Sequence, residues 1–179
     1  MMTRFLPLAG FVLLAILLGV GLKIADKKTE IPSPLIGRPV PDFNLPELDN
    51  AERVLGPMDF RGKPYLINFW ASWCVTCIYE HPYITDLARS GRLRVVGLNF
   101  RDEPEDARDW LAQHGNPYDV VITDYDGRVS INFGVYAAPE SFLIAPDGEV
   151  VYKQIGALTP DVIQEVILPM VLEMEQNKS

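Results

Sequence analysis

A chain of 179 residues, nearly half of them hydrophobic, holds enough material for one globular domain and little more. Its net charge of −8, with no basic cluster interleaved with aromatics, argues against nonspecific nucleic-acid binding, which sets Lys and Arg against phosphates. Two cysteines, with two residues between them, exclude both a self-contained four-cysteine zinc site and a multi-disulfide scaffold.

The chain opens with an uncharged, apolar run from Phe5 to Leu22. Eighteen helical residues span roughly 27 Å, close to the hydrocarbon thickness of a bilayer. Residues 1–22 are therefore expected to form an uncleaved membrane anchor. The competing reading is a signal peptide, since Arg4 supplies a minimal charged start, but no convincing small-x-small cleavage site follows. Lys23, Lys27 and Lys28 lie beyond the span, and counted strictly they place the main domain in the cytoplasm. Long domains translocate largely regardless of flanking charge, so that count decides little. Residues 23–39 read as a tether that becomes proline-rich toward its end, and residues 40–179 as the folded domain.

Within that domain, Phe43 to Leu48 and Arg53 to Leu55 predict a short hairpin. Tyr65 to Trp70 has the β-branched and aromatic content of a buried strand. Cys74 to Arg89 follows as a helix, with a kink expected at Pro82. Arg94 to Phe100 predicts a strand, and Glu105 to His114 a helix stopped by Gly115. Asp119 to Thr123 predicts another strand. Ser141 to Ala145 and Glu149 to Gln154 form a hairpin around Pro146-Asp147-Gly148. Thr159 to Glu175 closes the chain as a helix, with Thr159 as N-cap, Pro160 in its first turn and a bend expected at Pro169. The order describes a mixed α/β sheet with helices on both faces.

The chemistry sits where strand meets helix. Free N–H groups and the positive end of the helix dipole at a first turn stabilise a thiolate. Cys74 is expected there, half exposed, as the attacking sulfur, with Cys77 on the same helix face as the more buried resolving thiol. Competing readings are a metal half-site using His81, a structural disulfide, and two idle thiols. The strand-to-helix setting and Pro82 favour redox use, and so small a disulfide loop would constrain very little.

Asn68-Phe69-Trp70-Ala71-Ser72-Trp73-Cys74-Val75-Thr76-Cys77 resembles the active-site strand and helix of thioredoxin-like proteins. Gly134-Val135-Tyr136-Ala137-Ala138-Pro139-Glu140-Ser141-Phe142-Leu143-Ile144 closely resembles the second signature of the CcmG (DsbE) family of cytochrome c maturation proteins, within the TlpA/ResA-like thioredoxins. With the apolar N-terminus, Gly37 to Phe43 and Val95 to Phe100, the likeness covers nearly all of the chain. It implies a thioredoxin-like α/β fold, a central mixed sheet flanked by helices, with an N-terminal β-hairpin extension and one transmembrane helix ahead of it. It also implies a thiol–disulfide oxidoreductase held by a single span in a bacterial inner membrane, facing the periplasm. Its clients would be apocytochrome c or a haem-ligation thioredoxin partner, and its electron donor a membrane thiol transporter of the DsbD or CcdA type. No cofactor beyond the Cys74–Cys77 disulfide and no metal are implied.

The resemblance makes Pro139 the cis-proline that faces the dithiol. Trp73, Val75, Thr76, Tyr136 and Ala138 would shape the surface that receives substrate. Asn68 stands where thioredoxin carries a buried acid, and Glu80, one turn after Cys77, is expected to replace it by taking the Cys77 proton, its pKa raised by burial. Asp102, Glu103, Glu105 and Asp106 read as acids favouring a helix start, His114 as a helix-end residue, and Trp70 and Phe69 as core. Val75 stands where the family usually has proline and Ala137 where it usually has glycine. A reductant is expected, with a potential nearer thioredoxin's (about −270 mV) than DsbA's (about −120 mV). Alternatives are a general TlpA/ResA-like reductase with other clients and a non-catalytic apocytochrome-binding module. Pro41-Asp42-Phe43 also opens peroxiredoxins, but their peroxidatic cysteine pattern is absent.

Overall fold

Two strands are written almost entirely in residues that a doubly covered sheet can bury. β3 (Tyr65–Trp70) is buried at every position, and β4 (Arg94–Phe100) at all but its first. The structure is a computed structural model that describes residues 6–25 and 33–176. Parts of the expected anchor (1–5) and tether (26–32) lie outside the described residues. The chain divides into two compact units, Met1–Pro32 and Ser33–Ser179.

In the first unit, α1 (Leu6–Ala25) is a 20-residue helix whose side chains are described only at 10–21. Among the described residues, no helix is long and apolar enough to cross a membrane.

The second unit is built on a five-stranded sheet of order β5-β4-β3-β6-β7, with β5 at Val120–Asp124, β6 at Glu140–Ile144 and β7 at Val150–Ile155. β3 lies parallel to β4, and β4 to β5, whereas β3–β6 and β6–β7 are antiparallel. Alternation along β3 divides the core in two. Leu66 and Trp70 face α2 (Val75–Arg89), α3 (Pro104–His114) and the C-terminal helix. Tyr65, Ile67 and Phe69 face a second cluster with Phe43, Phe60 and Phe133. The last residues of the expected tether pack along β7, where the Gly37 N–H donates to the Val150 carbonyl at 2.9 Å.

Besides a 3-10 turn at Pro57–Phe60 that the sequence reading left without an element, three further elements depart from it. The N-terminal hairpin is reduced to β1 (Leu45–Pro46) and β2 (Val54–Leu55), because the following chain turns to β5, with the Leu48 N–H donating to the Val121 carbonyl. A short helix, α4 (Arg128–Asn132), falls in a stretch without an expected element. Asp124 organises it by accepting from the Val129 and Ser130 N–H groups and the Ser130 hydroxyl. The C-terminal helix runs as α5 (Pro160–Val162), a π turn (Ile163–Ile167) and α6 (Leu168–Gln176). The perturbation expected at Pro169 therefore appears just ahead of it: the Leu168 N–H reaches back to the Ile163 carbonyl. In a regular helix the Pro169 ring would press on the Glu165 carbonyl, which the widened turn relieves.

Gly97 lets the sheet take its aromatic load. A Cβ there would lie 2.8 Å from the Tyr118 ring and 2.9 Å from Trp70 Nε1, and those two rings stack with centroids 5.7 Å apart. Both rings are buried and cannot swing aside. Gly97→Ala is expected to destabilise the domain by about 1–3 kcal/mol, the usual cost of overpacking. Urea denaturation measures it.

Candidate active site

β3 ends at Trp70, and a tight turn delivers Cys74 to the head of α2, its N–H donating to the Ala71 carbonyl at 3.1 Å. Cys74 is the N-cap residue, and its Sγ accepts the Cys77 N–H at 3.1 Å. The sulfur thus sits among the unpaired donors of a helix start, the setting that stabilises a thiolate. Cys74 and Cys77 form a disulfide, their Cα atoms 5.4 Å apart.

Cys74 is not half exposed as expected. It is 4 % accessible against 2 % for Cys77. With the disulfide closed, both sulfurs join the apolar cluster of Trp70, Ala71 and Leu158, against which Ala138 packs. Trp73, Val75 and Thr76 are exposed at the helix mouth, and Tyr136, two residues before the Ala138 that packs on the cysteine cluster, is 88 % accessible. Val75 at the first helical position keeps an N–H that proline would lack. The Ala138–Pro139 peptide is cis. Among the described residues Arg101 is the sole non-glycine with positive φ, so Ala137 needs no glycine backbone.

Behind the disulfide lies a sealed polar group. Glu80 is 1 % accessible. Its Oε1 accepts from Asn68 Nδ2 at 2.9 Å and its Oε2 from the Leu158 N–H at 2.7 Å. Burial raises its pKa from 4.5 to about 7, against the opposing pull of the two donors. A carboxyl poised there can take or return a proton near neutrality. His81, the candidate third metal ligand, instead places Nε2 3.0 Å from the Gly115 carbonyl, and its ring meets Trp110 edge-on. Burial lowers its pKa.

Two other acids hold the site in place, and the sequence reading missed both. Asp102 is buried rather than simply helix-favouring. It accepts from the Ser72 N–H and hydroxyl, each at 2.6 Å, and from Asn99 Nδ2 at 2.7 Å. Beside it Arg101 adopts φ 48° and its carbonyl accepts the Trp73 indole N–H at 2.9 Å. This strap fixes the Ser72–Trp73 approach to Cys74. Asp102→Ala is expected to cost about 1–3 kcal/mol, the penalty for stranded donors, and to slow disulfide exchange. Denaturation and stopped-flow reduction of a model disulfide measure the two effects.

Glu140, next to Pro139, pairs with Lys153 at 2.7 Å, both side chains nearly inaccessible. The approach is an ion pair rather than an aligned hydrogen bond, since Glu140 Oε2 lacks a hydrogen-bond partner. Lys153 also donates to the Gly134 carbonyl at 3.0 Å, and the Tyr136 N–H reaches Glu140 Oε1 at 3.4 Å. Together they fasten the 134–139 loop. Its signal lay inside the second signature motif, but nothing local in sequence pointed to Lys153.

Fold and site together define a thioredoxin-like dithiol oxidoreductase. The Redoxin family model matches residues 35–167. Thiol:disulfide interchange protein DsbE of Escherichia coli (strain K12) is 44% identical over 146 residues, covering 81% of this chain and 78% of that protein. The protein of the same name from Vibrio cholerae is 37% identical over 173 residues, covering 95% and 94%. The solved structure of MTB dsbF in its mixed oxidised and reduced forms superposes with a TM-score of 0.63 at 26% identity, covering 74% of this chain and 94% of that one. The chain belongs to the DsbE family of thiol:disulfide interchange proteins.

Proposed function

We propose that this thiol–disulfide oxidoreductase works as a reductant of apocytochrome c, or of a haem-ligation thioredoxin partner, during cytochrome c maturation. In this reading the apolar N-terminal run anchors it in a bacterial inner membrane, the catalytic unit faces the periplasm, and a membrane thiol transporter of the DsbD or CcdA type returns its electrons. The apolar run from Phe5 to Leu22 in the sequence supports the anchor. The observation that carries the reading is Cys74 Sγ at the head of α2 with the buried Glu80 on the following turn.

In the reduced enzyme the Cys74 thiolate attacks one sulfur of the client disulfide. A Cys74–client bond forms, the client S–S bond breaks, and the other client sulfur leaves as a thiolate that takes up a proton. Glu80 accepts the Cys77 proton, and the Cys77 thiolate attacks Cys74 Sγ. The Cys74–Cys77 bond forms and the second client sulfur departs as a thiolate. Two electrons pass to the client. A buried carboxylate opposes further negative charge on the thiols, which disfavours the reduced form and makes it a donor. The exposed rim of Trp73, Val75 and Tyr136 suits an extended, cysteine-bearing peptide.

Cys77→Ser should arrest the cycle with a client joined to Cys74. Mass spectrometry of reductant-sensitive adducts is expected to recover apocytochrome c or its ligation partner. Recovery of unrelated clients overturns the maturation role, and full maturation by a Cys74→Ser/Cys77→Ser chain overturns the catalytic one.

A further inference from the structure

The dithiol site is backed by a chain of buried hydrogen bonds that the exchange steps above do not fully use. Asn68, in the middle of β3, is wholly inaccessible. Its amide is surrounded by Glu80 Oε1 at 2.9 Å and Ser141 Oγ at 3.0 Å on the Nδ2 side, and by the Tyr118 hydroxyl at 2.8 Å on the Oδ1 side. An asparagine amide can turn end for end with little change of shape, and only its partners decide which end faces where. Here the choice has a chemical consequence. With Nδ2 toward Glu80, the carboxyl meets a donor and is favoured ionised. With Oδ1 toward Glu80, it meets an acceptor and is favoured protonated.

We infer that Tyr118 is a positioning residue of this redox site: by donating its phenol hydrogen to Asn68 Oδ1, it locks the amide with Nδ2 facing Glu80. Ser141 does not provide the lock, because its Oγ only accepts from Nδ2 here and its hydroxyl would simply donate to Oδ1 on a turned amide. The phenol can, because it is buried and, among the described residues, has no other hydrogen-bond acceptor. Turning the amide would strand the phenol O–H against an NH₂ group, the costly case of a buried donor without a partner. The ring is held in turn by its stack on Trp70 and by the close floor of Gly97. The Leu158 N–H on Oε2 is a second fixed donor, so in the locked arrangement Glu80 meets donors on both oxygens.

Glu80 has few titrating neighbours that could mimic the effect. Cys77 and His81 share its helix, Tyr118 approaches across Asn68, and His114 of α3 stacks near His81 and Trp110. β3 and β6 contribute the neutral Asn68 and Ser141 to this face, while Glu140 and Lys153 belong to the other, where Lys153 lies over Phe142. Burial holds the Tyr118 phenol well above its ordinary pKa, so it stays a donor throughout the neutral range.

The inference rests on Glu80 as the proton acceptor for Cys77, and the test separates the two. In the full chain, Tyr118→Phe keeps the ring on Trp70 and removes only the hydroxyl. Carbon NMR of the Glu80 side-chain carboxyl should then show its titration midpoint moved upward by about one pH unit. The intramolecular step that closes Cys74–Cys77 should slow roughly fivefold at pH 7, as the ionised fraction falls. Ser141→Ala, which takes a partner from Nδ2 and leaves the lock, should stay near the wild-type midpoint. A folded Tyr118→Phe chain with an unmoved midpoint overturns the inference. If Glu80→Gln leaves the pH dependence of ring closure intact, the proton-acceptor role fails instead, and the carboxyl titration still judges the lock. Should Tyr118→Phe not fold, the wild-type hydroxyl proton decides: slow exchange with water is expected, and free exchange overturns the lock.

Discussion

Glu140→Ala is expected to destabilise the domain by about 3–5 kcal/mol, the range for removing one member of a buried ion pair. The cause is less the lost attraction than what is left behind. Lys153 would keep a nearly inaccessible ammonium over the Phe142 ring with the Gly134 carbonyl as its remaining partner. Equilibrium unfolding in urea measures the loss. A second arm distinguishes stranded charge from lost packing. Glu140→Leu combined with Lys153→Met removes both charges while keeping side-chain volume, and it should recover most of the stability. If the double variant is as unstable as the single one, the stranded-charge account is wrong. The double variant also separates stability from function, because Glu140 is the acceptor for the Tyr136 N–H beside Pro139. A chain restored in stability but slow in disulfide exchange would show that the pair holds the receiving loop.

Such a pair explains the limits of reading this chain from its sequence. β3 and β4 could be placed to the residue because central strands covered on both faces carry continuous apolar runs. Cys74, Cys77 and Pro139 were legible because each belongs to a local motif. Glu80 was legible because it follows Cys77 by one helical turn on the same face. The supports were not. Asp102 reaches Ser72 across 30 residues and Tyr118 reaches Asn68 across 50, contacts set by strand register that no local periodicity encodes. Asp102 also looked ordinary where it stood, since acids favour helix starts for their own reasons. The exposure of Cys74 was misjudged for another reason. An N-cap position lies at a surface in isolation, but here the closed disulfide and the Pro139 segment cover it.

Glu80→Gln is expected to remove a pH dependence of stability worth about 3 kcal/mol between pH 4.5 and 7. The folded-state pKa is raised from 4.5 to about 7. Within that window the native carboxyl keeps a proton that the unfolded chain has already lost. Unfolding then releases a proton, so stability falls as pH rises, by about 1.4 kcal/mol for each unit. The contribution is fully present below pH 4.5, declines through the window and is constant above about 7. His81 works in the opposite sense, because its folded pKa is lowered from 6.5 and stability falls as pH drops below that value. Subtracting the variant's profile from the wild type's cancels His81 and isolates Glu80. Urea denaturation of the oxidised chain from pH 4 to 8 provides both curves. A difference that does not change with pH would mean that Glu80 titrates at its unfolded value. It would then be ionised throughout the working range but a far weaker base, poorly matched to the Cys77 thiol whose proton it has to hold. A sloping difference instead shows a carboxyl whose pKa the fold holds near neutrality, as a store for the resolving proton requires, at a cost in stability.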